Sequence, residues 1–302
     1  MTNKSILSRI PLHGWAGLIL MITFWVFNWN LTGFRTQWGF FPQWLGFCLL
    51  IDGLTYARKG NSLLSRSKKA YIGLFLLSAP SWWLFELIDL RADYWIYQGS
   101  DHFTDLEFFL LATLSFSTVI PAMFGTTEFL LSFKWPHKVK GPIIKPNKKT
   151  YTRFYVVGFT LLIAFLIWPE YLPAFVWMFL YFIIEPFNAA KAKPNFLIYT
   201  SYGNWMPVLV LWIASLICGF FWEMWNFYSY PRWIYDIGIF NFGYIFEMPV
   251  LGYLGYLPFS LELFAMYHLA SHFMPKIFPP DYLFSSFENQ FSWPEMPVES
   301  HQ

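Results

Sequence analysis

Residues 204–228 read NWMPVLVLWIASLICGFFWEMWNFY, a run with one charged side chain, Glu223. At a helical rise of about 1.5 Å, about 20 mostly apolar residues cross a hydrocarbon core of roughly 30 Å. This stretch is long enough to cross. Outward from it, seven more runs of the same kind lie at 14–32, 39–57, 70–91, 106–133, 153–169, 171–189 and 245–272. The fifth, 153–169, is the shortest of the set. The first ends in FWVFNWNLTGF with no small-residue cleavage site, so it reads as a retained helix rather than a signal peptide. The expectation is an all-α integral membrane protein with eight transmembrane helices.

Composition supports this. The 302 residues are 56% apolar, 24% aromatic and 13% charged, with mean hydropathy +0.40, which excludes an ordinary soluble domain and a disordered chain. A net charge of +2 provides no surface for nucleic acid. The lipid bilayer is the expected partner.

Lys and Arg resist translocation and gather on the cytoplasmic side. They cluster before the first run (Lys4, Arg9), between the second and third (Arg58, Lys59, Arg66, Lys68, Lys69), between the fourth and fifth (Lys134 to Arg153), and after the sixth (Lys191, Lys193). The alternate connections hold only Arg35, Arg91 and Arg232. Both termini are therefore expected in the cytoplasm, with the chain in the cell's inner membrane.

The two halves read alike. DGLTYARKGNSLL from Asp52 returns as EPFNAAKAKPNFLI from Glu185, and SAPSWWLFELIDLRADYWIY returns as SLICGFFWEMWNFYSYPRWIY. Glu86 falls on Glu223 and Asp89 on Asn226, 137 residues apart. With one residue inserted, Trp95, Ile96 and Tyr97 fall on Trp233, Ile234 and Tyr235, and Pro121 falls on Pro258. The chain divides on this reading into a first repeat at 1–133, a basic cytoplasmic linker at 134–153, a second repeat at 154–272 and a Pro- and aromatic-rich cytoplasmic tail at 273–302. An even number of spans per repeat makes the repeats parallel, related by an axis along the membrane normal.

Acids inside a membrane are costly unless paired or hydrated, which makes them functional candidates. Glu86 and Asp89, three residues apart, share a helix face, as do Glu223 and Asn226. These four form the candidate catalytic set, with Glu86 and Glu223 as proton donor and acceptor, oriented by Asp89 and Asn226. Trp83, Trp95, Trp222, Trp225 and Trp233 are the candidate substrate-binding aromatics, and Arg91 and Arg232 the candidate counter-ions. The two glutamates are expected to approach each other in a cavity walled by Trp and Phe, where two carboxyls in one dry site resist joint ionisation. The competing reading is an interfacial Trp belt with salt bridges that lock helix ends.

Asp52 and Glu185 form a second acid pair, each followed by a base (Arg58, Lys191), and read as structural. Glu128 and Glu262 follow Pro121 and Pro258, where packing kinks are expected. His268 and His272 have the spacing of a two-histidine metal site, but no other histidine lies in a span, and Cys48 and Cys218 are scattered. No metal or cofactor is expected. Three functions fit this pattern: an enzyme that transforms a membrane-dissolved lipid or isoprenoid by carboxylate acid–base chemistry, as cyclase, isomerase or hydratase; a proton- or cation-coupled transporter or channel; and a subunit bound to other membrane proteins.

Overall fold

The computed structural model describes residues 6–31, 38–135 and 138–283. Among them, seven helical stretches are long and apolar enough to cross a membrane: Leu12–Asn30, Lys68–Asp89, Asp105–Leu130, Lys148–Ile167, Pro173–Ala190, Met206–Phe227 and Val250–Phe273. The chain is thus a mostly helical, multi-pass membrane protein. The run expected as the second span is also a helix, Phe40–Lys59, but Gln43, Asp52, Arg58 and Lys59 leave it less apolar than the others.

Helices α1 (Leu12–Asn30) and α2 (Phe40–Lys59) pack along each other, with Gly14 against Gly53 and Gly17 against Gly46. A Cβ on Gly46 would lie 2.5 Å from the Met21 nitrogen, so the contact depends on bare backbone. A short helix, α3 (Leu63–Arg66), leads into α4 (Lys68–Asp89); Ser62 and Ser67 cap their first turns.

The fourth expected span is not one continuous α-helix. It divides into α5 (Asp105–Phe116) and α6 (Val119–Leu130). Pro121 brings no N–H and its ring collides with the carbonyl four residues back, so the ladder fails there. The freed groups are taken up by Ser78, whose hydroxyl donates to the Phe116 carbonyl and accepts from the Ile120 N–H. The basic stretch expected as a linker is helical from Lys148: α7 is Lys148–Ile167, capped by Asn147. Before it, backbone bonds from Gly141 to Gly203 and from Ile144 to Thr200 lay the linker along the second half.

The sixth expected span opens with a 3-10 turn, Pro173–Trp177, before α8 (Phe179–Ala190). Then come α9 (Phe196–Ser201) and α10 (Met206–Phe227). The eighth expected span begins with a small hairpin and a 3-10 turn, Val250–Gly255, before α11 (Tyr256–Phe273). Of the tail, the part up to residue 283 packs beneath the bundle. Tyr282 donates to the Leu63 carbonyl, Tyr267 donates to the Pro279 carbonyl, and Phe278 is buried. The rest of the tail, and Lys4, Arg35, His137 and His301, lie outside the described residues.

Nor is the fold wholly helical. Strand β1 (Trp95–Gln98) follows α4, β2 (Arg232–Tyr235) follows α10, and the two pair antiparallel. The register sets Trp95 opposite Tyr235, Ile96 opposite Ile234 and Tyr97 opposite Trp233. A strand places alternate residues on one face, so each Trp-Ile-Tyr run presents its two rings together.

Candidate functional site

The last turns of α4 and α10 each carry a glutamate whose partners include side chains from the strand beyond it. On α4, a single oxygen of Glu86 accepts from Trp82 Nε1 (2.9 Å), Trp95 Nε1 (3.2 Å) and the Tyr97 hydroxyl (2.6 Å). On α10, Oε1 of Glu223 accepts from the hydroxyls of Tyr235 (2.8 Å) and Tyr256 (2.7 Å). Trp233 Nε1 donates to the Tyr235 oxygen at 2.8 Å, so the second tyrosine is itself held by an indole. Glu223 is fully buried and its Oε2 has no hydrogen-bond partner among the described residues, whereas Glu86 is half-buried.

Asp89 and Asn226 do a different job from the one expected. Asp89 accepts the backbone N–H of Tyr94 at 2.8 Å. Asn226 accepts the N–H of Trp233 at 2.9 Å and donates to the carbonyl of the same residue at 2.6 Å. Each fastens the end of its helix to the start of the strand, and thereby sets where Tyr97 and Tyr235 reach their glutamates. They orient the strands rather than the carboxyls.

Residues directly opposed in an antiparallel pair project to the same side. Trp95, Tyr97, Trp233 and Tyr235 therefore form one aromatic plate, with Ile96, 54% exposed, on the reverse. Beneath the plate is a cavity of about 170 Å³, lined by all four of these side chains and by Trp82, Trp177, Trp222, Tyr256 and Phe259, among others. The glutamates stand behind this wall, each reaching the cavity through the groups that donate to it. Burial, with the charge of Glu86 alongside, holds the Tyr97 hydroxyl well above the usual phenol range. Burial and Glu223 do the same to Tyr235. Both rings keep their hydroxyl proton at neutral pH.

Of the expected substrate-binding aromatics, Trp95, Trp222 and Trp233 line the cavity. Trp83 turns away, donating to Thr113 Oγ1 at 2.9 Å and stacking on Phe109. Trp225 is fully buried against Trp44 and Trp25. The arginines are not counter-ions to the glutamates. Arg232, at the cavity wall, pairs with Glu247 at 2.6 Å and donates to Gln98 and the Phe227 carbonyl, while Arg91 donates to the Leu166 carbonyl. The expected set leaves out Trp82, Tyr97, Trp177, Tyr235 and Tyr256. The repeated Trp-Ile-Tyr run carries a signal for Tyr97 and Tyr235, because alternation puts each Tyr on the face of its Trp. Trp82 is one helical turn from Glu86.

Asp52 and Glu185 cap the short helices that follow them. Asp52 accepts the Leu64 N–H (2.9 Å) and the Ser62 hydroxyl (2.8 Å) and pairs with His13 Nε2 at 3.0 Å. Glu185 accepts the N–H groups of Phe196 and Leu197. Arg58, expected near Asp52, instead donates to Ser132 and lies over the Phe133 ring. Glu128 pairs with Arg66 at 2.7 Å, and Glu262 accepts the Leu180 N–H at the start of α8. Among the described residues no group of three or more His, Cys, Asp or Glu side chains is arranged to hold a metal ion. His272 lies edge-on to Phe187, and His268 packs against Phe264 and Tyr267.

No protein-family model matches the chain, no curated protein matches it, and no solved structure matches it.

Proposed function

We propose that this multi-pass membrane protein is an enzyme that transforms a membrane-dissolved lipid or isoprenoid by acid–base chemistry. One observation carries the reading: two carboxyl groups, each hydrogen-bonded to a tyrosine hydroxyl, serve one aromatic cavity. Protonating a carbon–carbon double bond leaves a cation, and the faces of Trp rings attract cations. Aromatic walls also keep water from capturing it. The four side chains on the face of the ribbon suit such a substrate better than the hydrated route a transporter needs.

The reading includes a duplicated architecture. A two-fold relation between halves would exchange Trp95 with Trp233 and Tyr97 with Tyr235, and the observed pairing of Trp95 with Tyr235 and Tyr97 with Trp233 has that reciprocal form. The same correspondence matches the caps of α3 and α9, Ser62 and Asn195, and the acids Asp52 and Glu185. In the proposed orientation both termini and the basic linker are cytoplasmic, and the ribbon lies at the outer face. Cysteine in place of exposed Asp101 is then expected to react with an impermeant maleimide on intact cells, and cysteine in place of exposed Asn61 or Lys145 only after permeabilisation. The reverse pattern would invert the topology.

Gentle purification followed by lipid mass spectrometry tests the function. About one unsaturated isoprenoid or lipid per chain is expected. A stoichiometric protein partner with no enriched lipid would point to a subunit of a larger complex and remove the enzyme reading.

A further inference from the structure

We infer that Tyr97 and Tyr235, rather than Glu86 and Glu223, are the groups that exchange protons directly with the substrate. This deepens the enzyme reading and rests on it. Both hydroxyls lie on residues that form the cavity wall, while neither glutamate is part of that wall. Each hydroxyl is within 2.8 Å of the carboxyl behind it, so a proton that leaves the phenol can be replaced in the same motion. Each phenol is held in its neutral form by burial, so it acts by handing a proton on rather than by standing as an anion.

The substrate this arrangement takes is an unsaturated hydrocarbon or isoprenoid chain, and the reaction is a double-bond shift or ring closure without change of composition. In the first half, one carboxyl is protonated and its hydrogen bond to the tyrosine runs opposite to the sense seen in the structure; the hydroxyl hydrogen of that tyrosine bonds to an alkene carbon while the glutamic acid passes a proton to the phenol oxygen and becomes carboxylate. The π electrons form the new C–H bond and leave a cation on the neighbouring carbon. In the second half, a C–H bond beside the cationic carbon breaks and its electrons form the new double bond. That hydrogen goes to the oxygen of the other tyrosine, whose own hydroxyl hydrogen passes to the second carboxylate. No oxidant or reductant is consumed. The two carboxyls finish with their protonation exchanged, so the next turnover runs with their roles reversed, and Glu86, the half-exposed one, exchanges its proton with water.

The test uses the full chain in lipid nanodiscs made in D2O and loaded with squalene or geranylgeraniol, with squalane as the saturated control. Deuterium entering the hydrocarbon is read by mass spectrometry. The wild-type protein is expected to deuterate an unsaturated probe and leave squalane unlabelled. Glu86→Gln and Glu223→Gln are expected to abolish labelling, which tests the enzyme reading. Tyr97→Phe and Tyr235→Phe keep the rings and are each expected to lower the labelling rate at least 100-fold with probe retention unchanged. Labelling within tenfold of wild type in both Tyr→Phe variants, alongside loss in the Glu→Gln variants, overturns the relay and leaves the enzyme reading standing. No labelling of any probe by the wild-type protein overturns both.

Discussion

Glu223→Gln is expected to bring turnover of the membrane-dissolved substrate to background, a loss of about 10³-fold or more, while the protein still assembles and elutes as wild type. The size follows from what is removed. A positioned acid or base contributes typically 10²–10⁴-fold, and a step that needs both a donor and an acceptor stops when either is missing. The survival of the fold follows from what is kept. The amide oxygen of the new side chain would still accept from Tyr235 and Tyr256, so the only polar atom changed is the one in place of Oε2, which has no hydrogen-bond partner among the described residues. Glu86→Gln is expected to behave likewise, because the amide oxygen retains the bonds from Trp82, Trp95 and Tyr97. Asp52→Asn provides the contrast. Its carboxylate holds Leu64 N–H and Ser62 and pairs with His13 at a helix cap remote from the cavity lining, so the substitution is expected to lower the melting temperature and change the rate less than tenfold. Rates in nanodiscs and melting by intrinsic fluorescence separate the two effects. Undiminished turnover in Glu223→Gln would leave its carboxyl a structural group.

How much of this is visible in the amino-acid sequence depends on whether a feature is a local sum or a tertiary bargain. Apolarity over about 20 residues is a sum, and seven of the eight expected spans coincide with helical stretches long and apolar enough to cross. The break at 117–118 is different. Pro121 marks it, but whether a proline kinks or ends a helix depends on what satisfies the freed groups, and here that is Ser78 from another helix. The glutamates at the ends of α4 and α10 are legible because an acid in an apolar run is costly wherever it points. Their partners are less so. Glu247 reads as part of the eighth span, which leaves Arg232 to Glu223; the structure puts Glu247 before α11, 2.6 Å from Arg232. Trp83 and Trp225 share helices with the glutamates yet face elsewhere, because a helix turns about 100° per residue and only Trp82, four residues before Glu86, is carried round to it. Tyr256 has no local signal: its bond to Glu223 spans 33 positions and exists only once α10 and α11 are packed.

Gly46→Ile is expected to prevent assembly of the first half, with yield of folded protein falling at least tenfold and any remaining fraction destabilised by about 3 kcal/mol or more. Lipid tails are as apolar as a leucine side chain, so helices in a bilayer gain little by hiding apolar surface from each other and must gain by close packing. Helix α1 is a strong case, since only 17% of its apolar window is buried and its attachment to the bundle runs chiefly through α2. At Gly46 a single added Cβ lies 2.5 Å from the Met21 nitrogen and 2.7 Å from the Gly17 carbonyl oxygen. Both are backbone atoms, so no side-chain rotation relieves the collision and the helices must separate. Separation also strains the buried bond from Asn28 to Gln43, at 2.6 Å, and the His13–Asp52 pair, whose polar atoms would then lack partners in a medium without water. Gly46→Ala is expected to show the same effect in smaller measure. Ile19→Ala, on the same helix but 66% exposed, is expected to change little, which separates loss of close packing from loss of apolar surface. A Gly46→Ile protein that melts within about 2 °C of wild type would mean that the two helices have room to part, and that α1 is held by something other than its glycines.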